Sequence, residues 1–285
     1  MNSANGPRST VRIVSMEVSR FILGHNPPCG CSHMSRDVDV QMKAYYTAEN
    51  VHKLWFDAEQ AGLRTLLIRG DYRCLDWVET YRRKGGELDV ICQTASEMHD
   101  VFQNIRVIAA AGIPTIYHHG SQTDQFWAEG RIDEVNDYLK CMRDCGVNVG
   151  MATHQPEIIE YAEEKGWDVD FYMACFYNIS RKPRHSSIVT GQCGYDQEEY
   201  LDEDRARMAQ VIQQVDKPCL GFKILAAGRN CTTQEDVREA FRYAYANIKP
   251  TDAVVVGLFP RDLDQLTVDL QYAEDACEAI VQSAE

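Results

Sequence analysis

The side chains best able to do chemistry in this 285-residue chain are gathered rather than scattered. Histidines close three short apolar runs: "RFILGH" ends at His25, "IPTIYHH" at His118 and His119, and "VNVGMATH" at His154. Other runs end in Arg69 and Asp71 ("TLLIRGD"), Gln93 ("DVICQT") and Tyr177 with Asn178 ("DFYMACFYN"), and "CLGFKIL" carries Lys223. Imidazole changes charge near neutral pH, so histidines in such places suit proton transfer. His119 is the favoured acid/base, with His118 beside it and Asp71 as a further candidate. Lys223, set among apolar residues, suits a base or a Schiff base, since burial disfavours its charged form. Arg69 suits a carboxylate or phosphate clamp. His25, Asn26, Gln93, His154, Tyr177 and Asn178 suit contacts to a substrate. Each has a plainer reading beside it: a satisfied core histidine, a lysine paired with Asp71, or a structural ion pair of Arg69.

The stretch "HNPPCGCSH" places Cys29, Cys31 and His33 as C-x-C-x-H. Zinc sites more often use C-x₂-C pairs, and no second suitable pair is present, so the stretch reads as a loop with incidental cysteines. Asp71 with His25, His119 and His154 would make a nitrogen and oxygen set suited to Zn, Mn or Fe, although no contiguous motif marks it.

These residues need a frame that brings separate strand ends together. Eight runs read as strands: 20–24, 65–69, 89–94, 113–119, 147–153, 170–177, 219–225 and 252–259. Each is nearly continuous in apolar or small residues, as in strands buried on both faces of a parallel sheet. Amphipathic helices alternate with them, with readable ends at Thr47, Gly62, Gly146, Pro156, Gly166 and Thr233 followed by Asp236. The alternation predicts a single-domain α/β fold, the (β/α)8 TIM barrel, whose active site lies at the carboxyl ends of the strands. An open doubly wound sheet is less favoured, because no glycine-rich dinucleotide turn follows the first strand. "TVRIV" before "EVSRFILG" predicts an N-terminal β-hairpin covering the bottom of the barrel. Residues 1–10 read as a flexible N-terminus and 11–285 as the barrel, with a lid expected over 179–195.

Composition narrows the function classes. The formal net charge is −14, which argues against a nucleic-acid or anionic-membrane surface. No apolar stretch is long enough to span a bilayer, and the polar start lacks a signal-peptide core. Eleven scattered cysteines, an odd number, suit reduced thiols in a cytoplasm, and Cys92, Cys175 and Cys219 lie in apolar runs as core residues. The expected partner is a small-molecule substrate; nothing in the chain sets an oligomeric state.

Taken in order, the chain resembles the aldo-keto reductases. "VRIVSMEVSRFILGHNP" resembles their N-terminal hairpin and first strand, and "MATHQPEIIEYAEEKGWDVDFYMACFYN" is similar to their fifth and sixth units. "FKILAAGR" resembles the seventh-strand turn along the cofactor pyrophosphate, and "AVVVGLFPRDLDQLTVDLQ" the last strand and helix. The resemblance implies a barrel and an NADP(H) site at Gly228, Arg229 and Arg261. It also implies carbonyl reduction by an Asp, Tyr, Lys and His set. Only the His has a clear counterpart, His118 or His119; the third strand continues as "CQTAS" without a lysine, and Val268-Asp269 replaces the usual Glu-Asn pair. The resemblance thus implies a kept fold with changed chemistry.

The leading expectation is an enzyme that abstracts a proton next to the carbonyl of a small carbonyl-containing or sugar-like substrate. Isomerase, epimerase and lyase outcomes share that step. A divergent NADP(H)-dependent carbonyl oxidoreductase is the first alternative. A non-catalytic ligand-binding barrel is the second, disfavoured because unneeded buried polar groups are costly.

Overall fold

The computed structural model describes residues 9–95, 100–182 and 195–284. Its frame is a closed barrel of eight parallel strands: β3 (Phe21–Leu23), β4 (Thr65–Arg69), β5 (Asp89–Gln93), β6 (Thr115–His118), β7 (Asn148–Thr153), β8 (Phe171–Cys175), β9 (Cys219–Phe222) and β10 (Ala253–Val256). Strand β10 closes the ring on β3, with Val254 opposite Phe21 and Val256 opposite Leu23. The (β/α)8 fold expected from the alternation is the fold observed.

Before the ring, β1 (Thr10–Ile13) and β2 (Met16–Ser19) pair as an antiparallel hairpin. Its Val11, Ile13, Met16 and Val18 pack with Ile22, Leu67 and Ile91 from inside the barrel. The hairpin therefore plugs the bottom, as the sequence predicts. Residues 1–8 of the expected N-terminal segment lie outside the described residues, and Thr10 already belongs to β1.

The outer layer holds α1 (Arg36–Tyr45), α2 (Ala48–Gln60), α3 (Tyr72–Arg83), α4 (Val101–Ala110), α5 (Gly120–Ala128), α6 (Asp133–Asp144), α7 (Pro156–Glu164), α8 (Asp202–Gln214), α9 (Gln234–Asn247) and α10 (Gln265–Ala284). Local chemistry sets their starts. Ser35, Thr47, Asp71 and Asp100 each accept a backbone N–H three residues on, and Thr233 with Asp236 completes a capping box. Alternate strand residues such as Leu66, Ile68 and Val90 join the core between sheet and helices, while Leu67 and Ile91 face the barrel axis.

Several strands end short of expectation, β8 at Cys175 and β10 at Val256 among them, and two of the ends bear on the site. Strand β6 stops at His118, and His119 becomes the N-cap of α5, because the chain must turn into the helix there. Strand β9 stops at Phe222, so Lys223 lies just past the strand, in the left-handed region at φ 60°. Of the lid expected over 179–195, residues 183–194 lie outside the described residues.

Candidate active site

A cavity of about 490 Å³ opens at the carboxyl ends of the barrel strands. Leu67, Tyr117, Met173 and Val255 form its apolar floor, and His25, His33, His119, His154, Lys223 and Gln93 are among its polar walls. Its size is that of a small-molecule site.

His154 follows β7, where alternation continues the inward set of Gly150 and Ala152. Its Nδ1 donates to Asp124 Oδ2 at 2.6 Å, and its backbone N–H donates to Asp124 Oδ1 at 3.1 Å. Thr153 Oγ1 and Ser180 Oγ each donate to the same carboxylate at 2.6 Å. Asp124 comes from α5 and is 3 % exposed. Burial alone would raise its carboxyl; the adjoining His154 and these hydrogen bonds hold it below the usual carboxylate range. With Nδ1 bound to the carboxylate, proton exchange with a cavity molecule falls to Nε2. Phe222 meets the ring edge-on at 5.4 Å and fixes its plane. Gly120 lets this arrangement close, because a Cβ there would lie 3.3 Å from both Ala152 Cβ and His154 Cε1.

A basic corner faces this pair. His25 is 8 % exposed, and its Nε2 has no hydrogen-bond partner among the described residues. Burial, then the charges of Arg69, Lys223 and His33, push its pKa down to about 3, so the ring is neutral at physiological pH. His33 behaves oppositely. Burial disfavours its charge, yet Cys31 and Glu198 outweigh burial and Lys223, raising it above the usual value. Its Nδ1 lies 2.9 Å from Glu198 Oε1, and Asn26 Nδ2 approaches its Nε2 at 3.4 Å. His33, Lys223, Ala226 and Ala227 all have positive φ, at 56°, 60°, 49° and 52°. Left-handed backbone is costly for such residues, and three of these four, His33, Lys223 and Ala227, lie in the cavity lining.

The structure brings together some of the expected residues and separates others. His25, Asn26, Gln93, His119, His154, Lys223 and Gly228 line the cavity. Tyr117 donates to Gln93 Oε1 at 3.1 Å, which orients that amide. His118 does not reach the cavity. Its ring faces the helices, with Nδ1 2.8 Å from Thr123 Oγ1 and its plane stacked on Tyr138 at 5.2 Å, and burial lowers its pKa to about 3. Strand alternation thus makes His118 a structural residue and corrects its expected catalytic role.

Asp71 is likewise outside the cavity, spent as the N-cap of α3 and 3.5 Å from the Nε of fully buried Arg69. Arg69 acts on the cavity only through its charge. Tyr177 accepts from Asn230 at 3.1 Å and packs on Tyr200, while Asn178 forms the turn before Ser180.

The cofactor and metal sets fit poorly. Arg229 donates to the carbonyls of His33 and Ala226 and lies 3.9 Å over the Tyr200 ring. Arg261 is held by Asp262 and Gln41. A Cβ on Gly228 would lie 2.8 Å from Sδ of Met34, an exposed side chain that lines the cavity beside it. Both arginines are thus engaged within the chain. Asp71, His25, His119 and His154 do not converge: among the described residues, the one group of three such donors within 4.8 Å is Cys29, Asp71 and Cys74.

Sequence reasoning missed Asp124, Ser180 and Asp269. Asp124 was signalled only by "GSQTD", a polar run on a helix face that turns out buried. Asp269, on α10, lines the cavity, and burial raises its carboxyl to about 7.

No family model matches the chain, and no curated protein sequence matches it. Solved structures do. A candidate 2,5-diketo-D-gluconic acid reductase B is 12% identical with a TM-score of 0.56, covering 95% of this chain and 91% of its own. A glycerol dehydrogenase of the aldo-keto reductase type from Gluconobacter oxydans is 12% identical with a TM-score of 0.53, covering 95% and 94%. The N-acetylmannosamine-6-phosphate 2-epimerase from Clostridium perfringens is 10% identical with a TM-score of 0.50, covering 90% and 92%. At such identities the likeness lies in the fold: the chain is a (β/α)8 barrel of the architecture that aldo-keto reductases share with other barrel enzymes.

Proposed function

We propose that the protein is an enzyme that removes a proton next to the carbonyl of a small oxygenated molecule, a sugar or keto-acid derivative, with His154 as the base. The observation that carries this reading is the buried Asp124–His154 pair at 2.6 Å, set in the cavity wall. A carboxylate on Nδ1 fixes the tautomer and stabilises the imidazolium formed when Nε2 takes a proton. Lys223 and the Gln93 amide, on the same cavity, supply the positive charge and donor that an enolate oxygen needs. His119, at the end of the neighbouring strand on the same cavity, stands as the second acid/base. Isomerisation, epimerisation and β-elimination all pass through that enolate. The reductase alternative has less support because Arg229 and Arg261 are engaged by the chain's own groups.

The test is deuterium uptake in D₂O, followed by proton NMR, across a panel of keto-sugars and keto acids. Wild-type protein is expected to exchange the α-proton of at least one member. His154→Gln should slow that exchange by about 10²–10⁴-fold, and Asp124→Asn by at least about tenfold. An exchange rate in His154→Gln equal to wild type would remove His154 from the role.

A further inference from the structure

The cysteines of the opening loop part company in the fold. Cys31 turns toward Tyr195, with Sγ 3.3 Å from the hydroxyl. Cys29 turns the other way, to the start of α3, where its sulfur lies 3.8 Å from Cys74 Sγ. Cys74 Sγ is in turn 3.5 Å from Asp71 Oδ2. We infer that Cys29, Asp71 and Cys74 bind a zinc ion through two thiolates and one carboxylate oxygen, with water in the fourth position.

The spacing carries the assignment. Zinc holds sulfur at about 2.3 Å and carboxylate oxygen at about 2.0–2.2 Å. At a tetrahedral angle those bonds set two sulfurs about 3.8 Å apart, and sulfur and oxygen about 3.5 Å apart. The observed separations are 3.8 and 3.5 Å. Each distance taken singly also fits a thiol hydrogen bond, but the convergence of two sulfurs and a carboxylate oxygen, all within 4.8 Å of one another, is what a shared metal requires. Two thiolates with one oxygen suit zinc over the hard cations magnesium and calcium.

Each donor is already held. Asp71 Oδ1 accepts the Cys74 backbone N–H at 3.0 Å, which leaves Oδ2 on the side of the sulfur. Cys29 sits in a turn closed by Cys29 N–H to His25 O at 3.0 Å and Cys31 N–H to Asn26 O at 2.9 Å. The charges also balance. Two thiolates and a carboxylate against a dication leave one negative charge, and the Arg69 guanidinium stands 3.5 Å from Asp71 Oδ2 to offset it. Cys29 and Cys74 are 6 % and 1 % exposed, so the sulfur side is closed and Asp71, with 20 % of its side chain exposed, forms the entry. A metal here would pin the loop bearing His25 and Asn26 to α3, and so fix one wall of the cavity from outside it.

The test uses the full chain, stripped with a chelator and titrated with cobalt(II). Wild type is expected to take one cobalt per chain with a thiolate-to-cobalt charge-transfer band and tetrahedral visible bands, all lost when zinc is added. Cys29→Ser and Cys74→Ser should each abolish the charge-transfer growth and weaken binding by about 100-fold. Asp71→Asn keeps both sulfurs and should weaken binding by about tenfold, with unchanged far-ultraviolet circular dichroism to show that the barrel is folded. Cys145→Ser, at the end of α6, should behave as wild type. Absence of the band in wild type, its survival in folded Cys74→Ser, or its loss in Cys145→Ser would each overturn the site.

Discussion

Asp269 shows how far one buried side chain can bend the behaviour of the protein. Its carboxyl is 6 % exposed and is raised to about 7 by burial, against an ordinary value of 3.8. The folded chain therefore holds this proton more tightly than the unfolded chain. The resulting stabilisation is full below pH 3.8 and is lost as pH rises through about 7. Asp269→Asn should erase that decline, leaving the variant more stable than wild type above neutrality by an amount on the order of 4 kcal/mol at most. Urea unfolding at pH 5 and pH 8 measures it; parallel shifts of wild type and variant between the two pH values would refute the raised carboxyl. The same contrast of environments separates the two adjacent histidines. His118 is buried against Tyr138, while His119, one residue on, lines the cavity.

At the scale of elements, the packed barrel interior depends on small residues where strands face inward. Gly150 in β7 is the clearest case, because a Cβ there would lie 2.3 Å from Cζ of Phe171, whose ring is fully buried in the barrel. That ring belongs to the buried cluster that also holds Ile91, Tyr117 and the hairpin plug. Gly150→Ala should destabilise the protein by about 1–3 kcal/mol through overpacking. The same substitution at Gly146, where φ is 74° but a Cβ meets nothing within 4 Å, tests backbone strain alone. Equal melting temperatures for Gly150→Ala and wild type would show that β7 yields. The capping residues act at this scale too: Thr233 and Asp236 fix where α9 begins, and so how the loop bearing Lys223 is drawn between β9 and that helix.

For the whole molecule, buried neutral histidines set the acid limit. His25 and His118 are both lowered to about 3, burial being the largest cause for each. The unfolded chain takes up these protons near pH 6.5 and the folded chain does not, so both contribute stability above 6.5 that is lost as pH falls toward 3. Asp269 and the raised His33 work in the opposite direction, but His33 acts mainly above pH 6.5 and Asp269 alone opposes the two lowered histidines below it. The melting temperature should therefore fall between pH 6.5 and pH 4.5, and His118→Phe, which keeps the stack on Tyr138, should flatten the slope. A melting temperature independent of pH in wild type would refute this account. The charge of −14 belongs to this scale as well. Part of it lies on the outer helices, as with the exposed Asp202 and Glu203 of α8, while the cavity mouth gathers Lys223, His25 and His33.

Periodicity carries a great deal of this architecture. Eight buried runs alternating with capped helices determine a parallel barrel, because continuous apolar strands must be covered on both faces and each crossover needs a helix. The hairpin, the helix starts at Thr47, Pro156 and Thr233, and the loading of histidines onto the strand ends could all be read from the chain alone. Direction could not. Whether His118 or His119 meets the cavity depends on where β6 stops, and whether Lys223 does depends on a left-handed residue that no period encodes. Pairings between distant elements were equally hidden: Asp124 of α5 with His154 after β7, and Cys29 of the first loop with Cys74 of α3. Such partners lie 30 and 45 residues apart, and only closure of the barrel brings them within a hydrogen bond or a metal's reach. Sequence spacing records neighbours along a strand or helix, and the chemistry of this protein is built across them.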